Sequence, residues 1–312
     1  MKKVAFMFPG QGSQTVGMGK ELYDANPKLQ ELYLEANQIL GKDIQQLMFE
    51  GPENELTQTE NAQPALLLTS VAIQKLLEDR GVTPVMTVGH SLGEYSALVA
   101  SGAFTWQDAL ALVQIRGRLM EAAFPKGQGT MAAVLGLDAT TIEAALLEIT
   151  DQVVDIANLN CPGQVVISGS IEGVEQATIL LKDKGAKRVL PLNVSGPFHS
   201  KLMKAANDEF ATYLDKVEIS DAKPPVYANV SASATSSSGE LKGLLLKQLY
   251  SPVRFEESIN QMIENGVDAF VEVGTGKVLS GLVKKINRRM PTFAIQDQAS
   301  LDKFMEWYEE DA

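Results

Sequence analysis

The pentapeptide Gly89-His90-Ser91-Leu92-Gly93 sets a serine between two glycines, each two positions away. That spacing lets a strand turn sharply into a helix with the hydroxyl exposed, the presentation a serine nucleophile needs. A hydroxyl is a weak nucleophile at neutral pH, so it requires a base, and histidine has the matching pKa. The chain has two histidines, His90 and His199. His90 adjoins the serine, and at a tight elbow the neighbouring side chain points away from the nucleophile. His199, in Gly196-Pro197-Phe198-His199-Ser200, is the better base. The group that orients its imidazole could be a carboxylate or a backbone carbonyl, and the sequence does not choose between them.

Acyl chemistry at Ser91 also needs donors for an oxyanion. The backbone N–H of Leu92 follows the nucleophile at a helix start, as required. A second donor must come from another loop. Phe8-Pro9-Gly10-Gln11-Gly12-Ser13-Gln14 has glycines that let backbone approach a substrate, although a phosphate cradle would read the same way. In the stretch Trp106 to Ala123 the apolar stripe runs through Ala109, Leu112, Val113, Arg116, Leu119, Met120 and Ala123, so Arg116 falls on the inward face. A buried cation requires an anion. That anion is either an internal carboxylate such as Glu94 or Glu121, or a substrate carboxylate gripped by the guanidinium fork. Gly274-Thr275-Gly276-Lys277 is not a phosphate loop, because the Walker pattern needs four residues between its glycines and Ser or Thr after the lysine.

The elements that must hold these residues follow from the hydrophobic pattern. From Val4 to about Phe124 the order is strand, loop, helices, a buried strand at Pro84 to Val88, the elbow, and a helix from Glu94 to Ala103. This predicts an α/β, hydrolase-like core with a mainly parallel sheet whose carboxyl edge carries the chemistry. The break Pro125-Lys126-Gly127-Gln128-Gly129 opens a different unit. In it, strand Thr130–Leu135, helix Ala139–Ile149, strands Val153–Leu159 and Gln164–Gly169, helix Ile171–Lys184 and strand Lys187–Val194 succeed one another. The β-α-β-β-α-β order predicts a ferredoxin-like subdomain. Helices at Ser200–Val217 and Glu240–Gln248 and a buried strand at Ala269–Val273 then return to the large unit. The expected division is residues 1–126 and 196–312 for the large catalytic domain and 127–195 for the inserted subdomain. Ser231 to Gly239 reads as a surface loop rather than a domain boundary.

Composition narrows the function classes. The chain has 312 residues, 45% of them hydrophobic and 21% charged, which suits a folded globular protein. No apolar run approaches the ~20 residues of a membrane span. The start Met1-Lys2-Lys3 mimics a signal peptide, but Pro9-Gly10 cuts the apolar stretch short, so a cytoplasmic protein is expected. One cysteine, Cys161, excludes an internal disulfide, and no metal cluster is expected. A net charge of −12 argues against nucleic acid as partner. Two basic clusters could still dock an acidic partner: Lys182, Lys184, Lys187 and Arg188, and Lys284, Lys285, Arg288 and Arg289.

Taken together, the motifs resemble the malonyl-CoA:acyl carrier protein transacylase family of bacterial fatty acid synthesis and the related acyltransferase domains of polyketide synthases. Phe8 to Gln14, Asn61-Ala62-Gln63-Pro64-Ala65, Gly89 to Glu94, Gln114-Ile115-Arg116-Gly117, Asn160-Cys161-Pro162-Gly163-Gln164, Pro197 to Ser200 and Glu272-Val273-Gly274 occur in the family's order and spacing. The resemblance spans nearly the whole chain. It implies a ping-pong transfer in which Ser91 takes malonyl from malonyl-CoA as an ester and hands it to the phosphopantetheine thiol of acyl carrier protein. His199 would be base and then acid, oriented by the backbone carbonyl of Gln248. The oxyanion donors would be the N–H groups of Gln11 and Leu92, and Arg116 would pair with the malonyl carboxylate. Gln63, Asn160 and Phe198 would join the substrate-binding residues, Phe198 matching the malonyl rather than the roomier methylmalonyl type. No resident cofactor is implied, since the coenzyme A thioester and the phosphopantetheine enter as substrates, and a monomer is expected.

Two other readings compete. An α/β-hydrolase-type esterase or thioesterase shares the elbow and the Ser-before-His order, but no His-Gly-Gly-Gly motif is present and His199 lies far from the chain end. A carrier-binding module without chemistry would not need Ser91, His199 and Arg116 together.

Overall fold

The computed structural model describes residues 2–125 and 127–310. Among the described residues ten strands form two sheets. The larger sheet contains β1 (Val4–Phe8), β2 (Met86–Gly89), β7 (Val226–Tyr227), β8 (Ala234–Thr235), β9 (Ala269–Val273) and β10 (Thr292–Ile295), in the order β10-β9-β1-β2-β7-β8. All neighbours run parallel except the edge pair β7 and β8. The smaller sheet contains β3 (Gly129–Leu135), β4 (Val154–Cys161), β5 (Gln164–Ser170) and β6 (Arg188–Pro191), antiparallel throughout, in the order β4-β5-β3-β6. The expected architecture is therefore present: a mainly parallel sheet and a β-α-β-β-α-β unit. The expected end of the first large segment at Lys126 lies outside the described residues.

Burial explains the layering. β1 lies inside the sheet between β9 and β2, and all five of its residues, Val-Ala-Phe-Met-Phe, are fully buried, as a parallel strand covered on both faces requires. Helix Thr59–Asp79 packs beside helix Trp106–Ala122, and Gly117 lets them close: a Cβ there would lie 2.6 Å from the Thr59 carbonyl oxygen. This contact brings Gln63 and Arg116 together. The small sheet has its own core of Val134, Ile142, Ile167, Ala177 and Leu181. Its edge strand β4 is tied to the large unit by two backbone bonds, Leu159 N–H to the Val253 carbonyl at 2.9 Å and Val253 N–H to the Ala157 carbonyl at 2.8 Å.

Several expectations differ in detail. Ser200–Val217 is not one helix but a 3-10 turn at Lys201–Met203 running into a helix at Lys204–Leu214. Ser231–Gly239 is a loop only in part. It carries β8, buries Ala232 and Thr235, and already begins the next helix at Ser238. Strands β7, β8 and β10 were not anticipated, because two-residue strands show no alternation and β10 is half-buried. Among the described residues no helix is long and apolar enough to cross a membrane.

Candidate active site

The Ser91 elbow ends β2 at the carboxyl edge of the parallel sheet. Ser91 itself sits at φ 52°, in the left-handed region that non-glycine residues rarely occupy. The flanking glycines are required by close approach. A Cβ on Gly89 would fall 1.9 Å from the Gly93 carbonyl carbon, and one on Gly93 would fall 2.0 Å from the Phe8 carbonyl oxygen. The elbow is thus pressed against the end of β1, and the strain is held by surrounding bonds. Asn229 supplies two of them: its Oδ1 accepts from the Ser91 N–H at 2.9 Å and its Nδ2 donates to the Gly89 carbonyl at 2.6 Å.

His199 also sits in the left-handed region, at φ 60°, and is buried. Its Nε2 is 2.7 Å from Ser91 Oγ. Its Nδ1 faces two backbone carbonyls, Gln248 at 2.9 Å and Ser251 at 3.2 Å. Carbonyls only accept, so Nδ1 carries the proton and Nε2 is left to accept from the serine hydroxyl. Burial, reinforced by the positive charge of Arg116, pushes the His199 pKa down to about 3, so the imidazole is neutral at physiological pH. His90 points elsewhere: its Nε2 pairs with Asn160 Oδ1 at 2.8 Å. The orienting group left open by the residue types is a backbone carbonyl, with a second one from Ser251.

Arg116 is fully buried, as its place in the apolar stripe predicts. One terminal nitrogen donates to Gln63 Oε1 at 2.9 Å, and the other to Gln248 Oε1 at 2.9 Å and to Ser91 Oγ at 3.2 Å. The guanidinium carbon lies 5.3 Å from the centre of the Tyr95 ring. Glu94, one of the two internal carboxylates considered as its partner, instead accepts from Gln248 Nε2 at 2.6 Å and from the Asn229 N–H at 3.2 Å. Burial raises the Glu94 pKa to about 7.

These groups meet beside a cavity of about 570 Å³ between the two sheets. Gln11, Ser91, His199, Asn160 and Phe198 line it, with Met131 and Val166 from the small sheet opposite. Gln63 does not line it. It is buried behind Arg116 and holds the guanidinium, so its direct contact is with that side chain rather than with the cavity. Among the described residues the backbone N–H groups of Gln11 and Leu92 have no hydrogen-bond acceptor, and Gln11 and Ser91 line the same cavity. The side chains of Asn229 and Gln248 carry no signal in the sequence that marks them as parts of this network, and Glu94 is legible there only as a carboxylate for Arg116. Their partners are up to 157 residues away in sequence, beyond any local pattern.

Comparison with known proteins bears on this arrangement. Residues 5–296 match the acyl transferase domain family. The chain is 53% identical to a malonyl CoA-acyl carrier protein transacylase of Bacillus subtilis (strain 168) over 304 residues, covering 97% of this chain and 96% of that one. An acyl carrier protein S-malonyltransferase crystal structure from Vibrio cholerae O1 biovar eltor superposes with a TM-score of 0.95 at 44% identity, covering 97% and 100% of the two chains. A malonyl-transacylase solved in complex with a type II PKS acyl-carrier protein superposes with a TM-score of 0.95 at 43% identity, covering 98% and 99%. The chain belongs to the malonyl CoA-acyl carrier protein transacylase family and is an acyltransferase.

Proposed function

We propose that this protein transfers the malonyl group of malonyl-CoA to the phosphopantetheine thiol of an acyl carrier protein, through an ester on Ser91, supplying fatty acid synthesis. The observation that carries the reading is the coincidence at one hydroxyl of a neutral imidazole, 2.7 Å away, and a buried guanidinium, 3.2 Å away. The first activates Ser91 and the second gives a dicarboxylic acyl group a counter-charge. We divide the chain into residues 127–195, inserted between 1–126 and 196–312, with the cavity between the two units as the meeting place.

In the first half-reaction Ser91 Oγ attacks the thioester carbonyl while His199 Nε2 takes its proton. The oxyanion that forms is received by the N–H groups of Gln11 and Leu92. Collapse breaks the C–S bond, and the imidazolium returns the proton to the departing coenzyme A thiolate. The low basicity imposed on His199 by burial and Arg116 makes that imidazolium short-lived and ready to give its proton up. In the second half-reaction the carrier thiol attacks the ester carbonyl, His199 takes the thiol proton, and Ser91 leaves with it. One cavity and one nucleophile serving both thiols in turn favour the two-step exchange. Arg116 meets Ser91 Oγ through one terminal nitrogen, next to where the acyl group would sit, and its planar guanidinium suits a free carboxylate. Asn160 and Phe198 line the cavity wall and define the room beside it.

The test is a transfer assay from malonyl-CoA to holo acyl carrier protein, with the malonylated carrier resolved by mass. Malonyl-carrier should accumulate with the wild-type protein and fail to appear with Ser91→Ala. Hydrolysis of malonyl-CoA without any malonyl-carrier would refute the reading and point to the hydrolase alternative.

A further inference from the structure

Arg116 is fully buried, yet its hydrogen-bond partners Gln63, Gln248 and Ser91 are all neutral. A cation removed from water needs compensation. The nearby acid that supplies it is Glu94, itself 1% exposed. The two do not form a direct bond. The Gln248 amide stands between them, giving its Oε1 to Arg116 at 2.9 Å and its Nε2 to Glu94 Oε2 at 2.6 Å. An amide held head to tail between a cation and an anion is polarised by both, which strengthens each bond. A direct ion pair would tie up the guanidinium fork. The bridged one leaves Arg116 facing Ser91.

We propose that Glu94 is a positioning residue that balances the buried charge of Arg116 through the Gln248 amide, with no direct ion pair to compete with the carboxylate of the substrate. The proposal rests on the malonyl reading for its effect on selectivity, but the charge coupling itself does not. Glu94 opposes any second carboxylate that enters beside Arg116. Its charge therefore sets how strongly the site prefers malonyl to an uncharged acyl group.

The decisive variant is Glu94→Gln. Both bonds to Glu94 arrive at one oxygen, so the glutamine carbonyl can keep them while the charge is lost. Acylation of Ser91 by malonyl-CoA and by acetyl-CoA is compared at pH 8, above the value near 7 at which burial holds the Glu94 carboxyl. The malonyl-to-acetyl ratio should rise by roughly tenfold, the size of one charge-charge interaction across about 10 Å at an effective dielectric of about 20. Glu94→Asp, which keeps the charge, should leave the ratio near that of the wild type. A ratio unchanged in Glu94→Gln, or shifted equally in Glu94→Asp, overturns the proposal, because then only the hydrogen bonds matter. A thermal-unfolding cycle with Arg116→Met tests the coupling without substrate. Arg116→Met with Glu94→Gln should melt above Arg116→Met alone, and simple addition of the two losses would overturn the proposal. If the wild-type protein loads no malonyl, the functional reading fails and the unfolding cycle alone decides the coupling.

Discussion

Replacing Arg116 by alanine removes a buried cation that donates to Ser91 Oγ, and on the proposed reading its effect should fall on the choice of acyl group. The guanidinium is fully buried, and a malonyl carboxylate beside it would form a desolvated, hydrogen-bonded ion pair. Truncating one member of such a pair costs about 2 to 5 kcal/mol. At 1.36 kcal/mol per decade, this is a roughly 30-fold to few-thousandfold loss of malonyl transfer relative to acetyl transfer. The variant also strips a donor from Gln63 and Gln248, whose Oε1 atoms it holds at 2.9 Å. That damage loosens the site for both acyl groups and cancels in the ratio. The assay is competitive acylation of Ser91 by malonyl-CoA and acetyl-CoA, read by the mass of the protein adduct. A malonyl-to-acetyl ratio equal to that of the wild type, with both rates reduced alike, would refute the assignment and leave Arg116 a structural residue.

Three further outcomes are expected. Gly93→Ala puts a Cβ 2.0 Å from the Phe8 carbonyl and should cost several kcal/mol, so its urea midpoint should drop sharply or the protein should not fold; a wild-type midpoint would show that the elbow is not pressed on β1. Because the His199 pKa is lowered from 6.5 to about 3, its stabilising contribution is full above pH 6.5 and is lost as pH falls toward 3. His199→Ala should remove up to about 1.4 kcal/mol per pH unit from the slope of stability between pH 6 and 4, and an unchanged slope in denaturant titrations would contradict the shift. Charge reversal of Lys284 and Lys285 tests carrier docking. These residues end the helix Val278–Ile286, whose first turn lines the cavity through Val278 and Leu279. Lys284→Glu with Lys285→Glu should slow the carrier-dependent step and weaken its salt dependence, leaving loading from malonyl-CoA intact; an unchanged carrier-dependent rate would exclude this patch.

The parts of the site legible in the sequence are those whose geometry is local. The elbow follows from two glycines around Ser91, and the inward placement of Arg116 follows from a 3.6-residue stripe. The β-α-β-β-α-β unit follows from strands and helices long enough to show their periods. What stayed hidden is held by long-range contact. Asn229 lies 138 residues from Ser91 in sequence, on a turn after a two-residue strand, with no pattern to mark it. Glu94 was visible as a candidate partner of Arg116, but the intervening Gln248 amide was not, because a bridge between two buried charges is a property of packing. Gln63 shows the converse: its motif marked it for the substrate, and packing sets it behind the arginine. The loop around Ser231–Gly239 misled because an Ala-Ser-rich segment has neither period, although Ala232 and Thr235 are buried.

The central claim is that Ser91 carries the malonyl group between two thiols, and intact mass of the protein tests it most directly. After brief exposure to malonyl-CoA the wild-type protein should gain one malonyl adduct, Ser91→Ala should gain none, and addition of holo acyl carrier protein should move the adduct onto the carrier. An adduct that persists in Ser91→Ala, or malonyl-carrier formed with no adduct on the wild-type protein at any time, would contradict the account.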